Sequence, residues 1–406
     1  MESSSMSWKE MSWPKHGASG DDGDFSMKRP RICMPTARGF TKKAFRCGLY
    51  EAQDVLLEAD NVDLICLEAR PGFDLKAAWQ KKLIYHDVSR RLMSVNPGLR
   101  KVRITQEYDL FIAICQDVWD LTHINAIEGW KDHCKTSVLW IDEIWNAAIP
   151  EYKYLLDALK RFDHIFIGCK GSIAPLSQAI GQTCHWLPGG VDTVRFSPYP
   201  SAPARVIDVY GIGRRHEGIH RALLSAAERG DIFYVYDTFH AADTPVHDHR
   251  QHRDLYANVA KRSRCFLVAP AKADDPATHG QVEVGYRYYE GAAAGAVMIG
   301  QAPDCAAFAE LFPWPDAVIP VQPDGSDIME VFSNLASEPE RLFTISRRNT
   351  AEATLRHDWL YRWQEIFRVA GLDQSRRMAT RERRLKQLAG FGAAECDPAL
   401  IRAVQR

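Results

Sequence analysis

The chain has 406 residues, 46% of them hydrophobic and 25% charged, which is enough for two domains with a core each and too much for one small binding module. A formal net charge of -1 excludes an overall pull toward nucleic acid or an anionic membrane and leaves such contacts to local patches. Ten cysteines without CxxC pairs or metal-ligand spacing fit dispersed reduced thiols better than a disulfide framework.

In chain order, the segment 1–29 (MESSSMSWKEMSWPKHGASGDDGDFSMKR) is rich in Ser, Gly, Asp and Lys and lacks both periodicity and the apolar stretch of a signal peptide. It reads as a disordered tail. No apolar run approaches the roughly 18 to 20 residues that cross a bilayer, so a cytoplasmic location is expected. From Pro30 onward, short apolar runs alternate with amphipathic stretches. Strands are predicted at RICMP (31–35), VDLICLEA (62–69), YDLFIAIC (108–115), SVLWID (137–142) and HIFIGC (164–169). Between them, KKAFRCGLYEAQDVLLEA and YKYLLDALKRF repeat apolar residues at helical spacing. After a proline-marked break at PYPSAPA (198–204) the alternation restarts with VIDVYGIG (206–213), a helix through Ala227, IFYVYDTF (232–239), a helix from about Asp254 to Lys261, CFLVAP, AVMIG and AVIPV. Strands alternating with helices predict two doubly wound parallel sheets facing across a cleft, with ligands outside the carboxyl ends of the strands.

Between the two halves stands LPGGVDTVRFSP (187–198), which resembles the interdomain signature of retaining GT-B glycosyltransferases of the family 4, or group 1-like, type. Gly189, Gly190, Val191, Asp192, Phe196 and Pro198 match that pattern; a generic Pro-Gly turn is the alternative reading. Further on, RYYEGAAAG (287–295) resembles the family's ribose-binding helix. The resemblance spans residues 31–372 and implies two Rossmann-like domains: an acceptor domain at 30–197 and a nucleotide-sugar donor domain at 198–372, followed by a basic tail or helix at 373–406. It implies an enzyme of the hexosyltransferase type that moves a sugar, with retention and without a metal or other cofactor, from a nucleotide diphosphate sugar to a glycan, lipid-linked or small-molecule acceptor. A nucleotide-sugar epimerase and a degenerate nucleotide- or glycan-binding member of the same fold remain the alternatives.

The resemblance assigns Glu290 to the ribose, because an ionised carboxylate can accept from two vicinal hydroxyls. Arg287, one helical turn earlier, shares its face, and Tyr286, Gly291 and Gly213 complete the expected donor set. Glu283 is the candidate sugar contact, although it lies seven residues before Glu290 where the family has eight. In DVYGIGRRHEG (208–218), Arg214 and Arg215 stand where the family neutralises the pyrophosphate, while Glu217 replaces its lysine. On the acceptor side Gly39 lies in PTARGFTKK, and Asp142 and Glu143 end a strand in WIDEIW, with capping or ion pairing as their other reading. His240 is a further cleft candidate. No DxD-type metal triplet is seen: DDGD falls in the tail and DHRQHRD is read as lying before a helix. No nucleic-acid partner is expected. The segment 373–391, with Arg376, Arg377, Arg381, Arg383, Arg384 and Lys386 beside Met378, Leu385 and Leu388, is a candidate for weak contact with an anionic membrane surface on the inner face, a solvated helix being the plainer reading.

Overall fold

The computed structural model describes residues 30–85, 90–238, 245–272 and 275–393; the segment 1–29 and His240 lie outside them. Two parallel sheets carry the fold. The first runs β2-β1-β4-β6-β7-β8, with β1 Ile32–Thr36, β2 Val62–Cys66, β4 Tyr108–Cys115, β6 Cys134–Ile141, β7 His164–Ile167 and β8 Cys184–Trp186. The short pair β3 Val102–Arg103 and β5 Ile127–Glu128 stands beside it. The second runs β10-β9-β11-β12-β13, with β9 Ile207–Gly211, β10 Tyr234–Tyr236, β11 Ser263–Val268, β12 Val297–Gly300 and β13 Ile319–Pro320. Each order reverses direction after its first crossover, as a doubly wound sheet requires.

The central strands are apolar on both faces because helices cover both sides. In β4, Leu110, Phe111, Ile112 and Ala113 are all fully buried. Four hydrophobic clusters result, one on each face of each sheet. Every predicted strand is present within a few residues; β8 had too few apolar residues to stand out.

Two elements differ from the sequence reading. The helix expected from about Asp254 starts at His249 and runs to Lys261, capped by Asp248, whose carboxylate accepts from Arg250 N and Gln251 N. DHRQHRD is therefore mostly helix rather than the loop before one. At the other end, the helix Trp359–Ala370 leaves the second lobe and packs on the first sheet: Trp359 and Trp363 lie against Trp140 at 5.7 and 5.9 Å between rings, and Trp363 Nε1 donates to Ala52 O at 2.9 Å.

The last helix, Arg376–Ala393, corrects the membrane expectation. Met378 and Leu385 are fully buried in the same cluster and Leu388 is nearly so, so the apolar face assigned to a membrane is occupied by the protein itself. Arg381 is buried too, donating to Asp192 at 2.6 Å and to both oxygens of Asp358 at 2.9 Å. Asp192 is the aspartate of the linker signature and caps the helix Thr193–Phe196 through Arg195 N. The linker is thus fixed by an ion pair that reaches from the far end of the chain. Among the described residues no helix is long and apolar enough to cross a membrane.

Candidate functional site

A cavity of about 430 Å³ lies between the lobes, and its walls are the residues that follow the parallel strands. Asp142 and Glu143 follow β6, Gly168 and Cys169 follow β7, Ile212 and Arg214 follow β9, Asp237 follows β10, and Ala269 to Lys272 follow β11. Each strand ends with backbone groups that no ladder uses, which is why ligands of such sheets collect there. Three helices complete the walls: Tyr286–Ala293 and Cys47–Ala59 near their starts, and His249–Lys261 through His252, Arg253 and Tyr256.

At the floor lies a buried charge network. The Glu290 carboxylate accepts from Arg253 Nη1 and Arg287 Nη1, each at 2.5 Å, and from the Tyr256 hydroxyl at 2.6 Å. Burial by itself would raise this carboxyl, but Arg287, Arg253 and Tyr256 outweigh it and hold it at about 2. Arg253 turns its other edge to Glu51, with two bonds of 2.9 Å, and Glu51 also accepts from Trp359 Nε1 and from Asp192 N. Taking such ions out of water costs several kcal/mol each unless every charge is answered. Here the chain Glu51–Arg253–Glu290–Arg287 alternates in sign across both lobes.

Nearer the opening, Asp142 accepts from the Tyr286 hydroxyl at 2.6 Å and from Gln116 Nε2 at 2.9 Å. Burial is the main cause of its shift: it pushes the carboxyl up to about 7 against those two bonds, with help from the neighbouring charge of Glu143. Glu143 itself pairs with Lys272 from the other lobe and accepts from Trp145 Nε1 at 2.6 Å. Both readings of these carboxylates therefore hold in part, since each lines the cavity and each has a structural partner.

The two adjacent arginines separate cleanly. Arg214 lines the cavity, its side chain 54% exposed and only loosely paired with Asp275 at 3.3 Å. Arg215 turns away, donating to the Asp237 carboxylate at 2.5 Å and to Asp237 O at 2.9 Å, beside the ring of Tyr236. Gly213 sits at φ +76°, and a Cβ there would stand 3.1 Å from Arg287 Nη2. It is a glycine because the turn needs that φ and the guanidinium needs the space.

Of the residues singled out from the sequence, Asp142, Glu143, Arg214, Glu283, Tyr286, Arg287 and Glu290 line the cavity, and Gly39, Gly213, Arg215 and Gly291 do not. Glu283 is at the wall, yet its oxygens already accept from Lys170 N at 3.0 Å, Gly171 N at 2.8 Å and Gln281 Nε2 at 2.7 Å. It clips the second lobe onto the first. Gly39 is held by packing, since a Cβ would lie 2.2 Å from Leu67 O, and a Cβ at Gly291 would lie 2.9 Å from the Phe266 ring. Among the described residues no group of three His, Cys, Asp or Glu side chains is placed to hold a metal ion.

The sequence reading missed Glu51, His252, Arg253, Tyr256 and Lys272. A signal for Arg253 and Tyr256 was available: on the helix His249–Lys261 they share the buried face with Ala257 and Ala260. A helix start placed five residues late leaves Arg253 outside it.

Residues 214–368 match the model of a family described as glycosyl transferase-like. That segment contains Arg214, Asp237, Arg253, Lys272, Glu283, Arg287 and Glu290, the charged groups of the second lobe's cavity wall. No curated protein matches the chain. Among solved structures, the chain is similar to Anabaena Alr3699/HepE in complex with UDP, at 13% identity over 84% of this chain and 99% of that one, with a TM-score of 0.47. It is similar to an alpha-glucosyltransferase in complex with UDP and a 13-mer DNA containing a central A:G mismatch, at 12% identity over 84% and 99%, with a TM-score of 0.49. A glycosyltransferase from Rickettsia africae is similar at 10% identity over 84% and 97%, with a TM-score of 0.48.

Proposed function

We propose that this protein, a glycosyltransferase of two-lobed GT-B architecture with a glycosyl transferase-like region at 214–368, transfers a sugar from a nucleoside diphosphate sugar to an acceptor hydroxyl held by the first lobe. The observation that carries the donor half is the convergence of Arg214, Arg287 and the opening turn of the helix Tyr286–Ala293 on one cavity wall. Free N–H groups at a helix start and two guanidinium groups suit a diphosphate.

In the proposed reaction the bond between the anomeric carbon and the diphosphate oxygen breaks, and a bond from the acceptor oxygen forms. Negative charge grows on the departing diphosphate, where Arg214 and Arg287 stabilise it with donors already in place. The proton of the acceptor hydroxyl passes to Asp142, whose carboxyl, pushed up to about 7, is matched to that task near neutral pH. Tyr286 fixes the orientation of Asp142 from the opposite lobe. Glu290 acts on the donor through Arg287 and, with three bonds already accepted, has about one of its four lone-pair sites left for a ribose hydroxyl. Retention at the anomeric carbon, which the resemblance of the linker supports, has the acceptor oxygen attack from the face that the diphosphate leaves.

The test is a thermal-shift comparison with UDP, GDP, ADP and TDP, followed by turnover of sugar conjugates of the nucleotide selected. Selective binding should raise the melting temperature of the protein, because a ligand bound only to the folded state stabilises it by mass action. The sugar should then leave the nucleotide only with an acceptor present. Turnover without one favours the epimerase alternative, binding without turnover favours the degenerate binder, and no stabilisation by any nucleotide removes the donor site.

A further inference from the structure

A second, smaller recess opens on the other side of the segment that leads into the helix Cys47–Ala59. Ala44, Phe45 and Gly48 of that segment line the main cavity, while Lys43 and Cys47 line the recess together with Arg38, Thr41, Lys42, His247 and His249. Both lobes build it: Val246 N donates to Lys42 O at 2.8 Å, and Lys43 pairs with Pro245 as an isolated bridge. The nearby buried carboxylate of Asp54 is already engaged by Arg38 Nη1 at 2.7 Å, His249 Nε2 at 2.8 Å and Arg250 at 3.0 Å. Asp248 directs its carboxylate at Arg250 N and Gln251 N. Among the described residues, neither the Lys42 nor the Lys43 ammonium has an ion-pair partner.

The charges therefore do not balance. Arg38, Lys42 and Lys43 line a shallow recess of about 30 Å³ whose lining holds no carboxylate, and the segment 43–48 joins it to the cavity wall. A concave site lined by one sign of charge concentrates the opposite sign. Resting on the proposed transfer reaction, we infer that this recess takes a phosphate group carried by the acceptor, so that the acceptor is a phosphorylated or pyrophosphorylated molecule whose hydroxyl is presented to the main cavity. The recess shares no lining residue with the cavity that holds Arg214 and Arg287, which makes the two phosphate sites distinct.

The experiment compares the full chain with K42Q/K43Q and R214A. Inorganic pyrophosphate, titrated calorimetrically, should fill two sites in the wild type. K42Q/K43Q should lose one of them, or weaken it at least tenfold, and keep wild-type affinity for the nucleoside diphosphate; R214A should do the reverse. Unchanged pyrophosphate stoichiometry and affinity in K42Q/K43Q overturns the site. A sugar 1-phosphate should bind the wild type at least tenfold tighter than the same free sugar, and the preference should vanish in K42Q/K43Q. Equal binding of the two sugars means the recess attracts free anions only and overturns the acceptor assignment. If no nucleoside diphosphate binds while the Lys42/Lys43 site still titrates, the donor reading fails and the recess stands.

Discussion

At the scale of single residues, adjacent arginines with the same chemistry have opposite surroundings. Arg214 projects into the cavity with a loose partner, and Arg215 is bound at 2.5 Å to Asp237. R214A should lower kcat and kcat/KM together, by roughly 10²–10³, the scale on which a single positioned donor acts on a developing oxyanion. R215A should instead cost stability with a modest effect on rate, because it leaves the Asp237 carboxylate with only the Gly213 N–H; the reverse pattern in steady-state kinetics would exchange their roles. Asp142 is expected to carry the pH dependence. As the proposed proton acceptor it must be ionised, so kcat/KM should rise through a pH near 7, and D142N should flatten that limb. The linked stability effect has the opposite sign: a carboxyl near 7 in the folded protein and about 3.9 when unfolded binds its proton more tightly when folded. Its contribution to stability is whole below about 4 and declines as pH rises to about 7. Denaturant melts of the wild type and D142N across that window should converge at low pH and separate in favour of the variant at high pH. These environments were not legible in the sequence, because neighbouring positions on a turn point in directions that only the turn's backbone decides.

At the scale of elements, strands and helices were read well where a long apolar run or a clear helical period carried the signal. The failures have physical causes. The helix His249–Lys261 opens with His-Arg-Gln-His-Arg, polar enough to resemble a loop, and its apolar stripe begins only at Tyr256. Its true start is set by Asp248, whose carboxylate satisfies two free N–H groups. The C-terminal helix misled in the other direction. Its six basic residues looked like one charged face, but Arg381 points inward to Asp192 and Asp358 while Met378 and Leu385 fill the first lobe's core. R381A should therefore lower unfolding stability by about 3–5 kcal/mol, the usual result of stranding buried charge, and a chain ending at Leu372 should be destabilised as well, by exposing that apolar surface. A truncated chain with an unchanged urea midpoint would contradict this packing.

At the scale of the whole molecule, the two lobes are joined by more than a linker. Glu283 holds the backbone of Lys170 and Gly171, Tyr286 reaches Asp142, Lys272 meets Glu143, and Arg253 spans from Glu51 to Glu290. The cavity's charged groups thus serve two purposes, wall and fastening. A sequence motif reveals the first without the second, because the partners that meet across the lobes lie more than a hundred residues apart. The linker signature and the RYYEGAAAG helix made the architecture and the position of the cleft legible; the groups that hold it together, Glu51 and Arg253 above all, became visible only with the lobes assembled. The proposed role of Arg214, Arg287 and the start of the Tyr286 helix is to receive the donor's diphosphate. It is tested by a crystal structure of the full chain with the nucleoside diphosphate selected by thermal shift. Phosphate oxygens are expected within hydrogen-bond distance of the Arg214 and Arg287 guanidinium groups and of the N–H groups opening the helix Tyr286–Ala293, with the ribose beside Glu290. A diphosphate bound elsewhere, with Arg214 still turned to Asp275 and no phosphate at that helix, would contradict it.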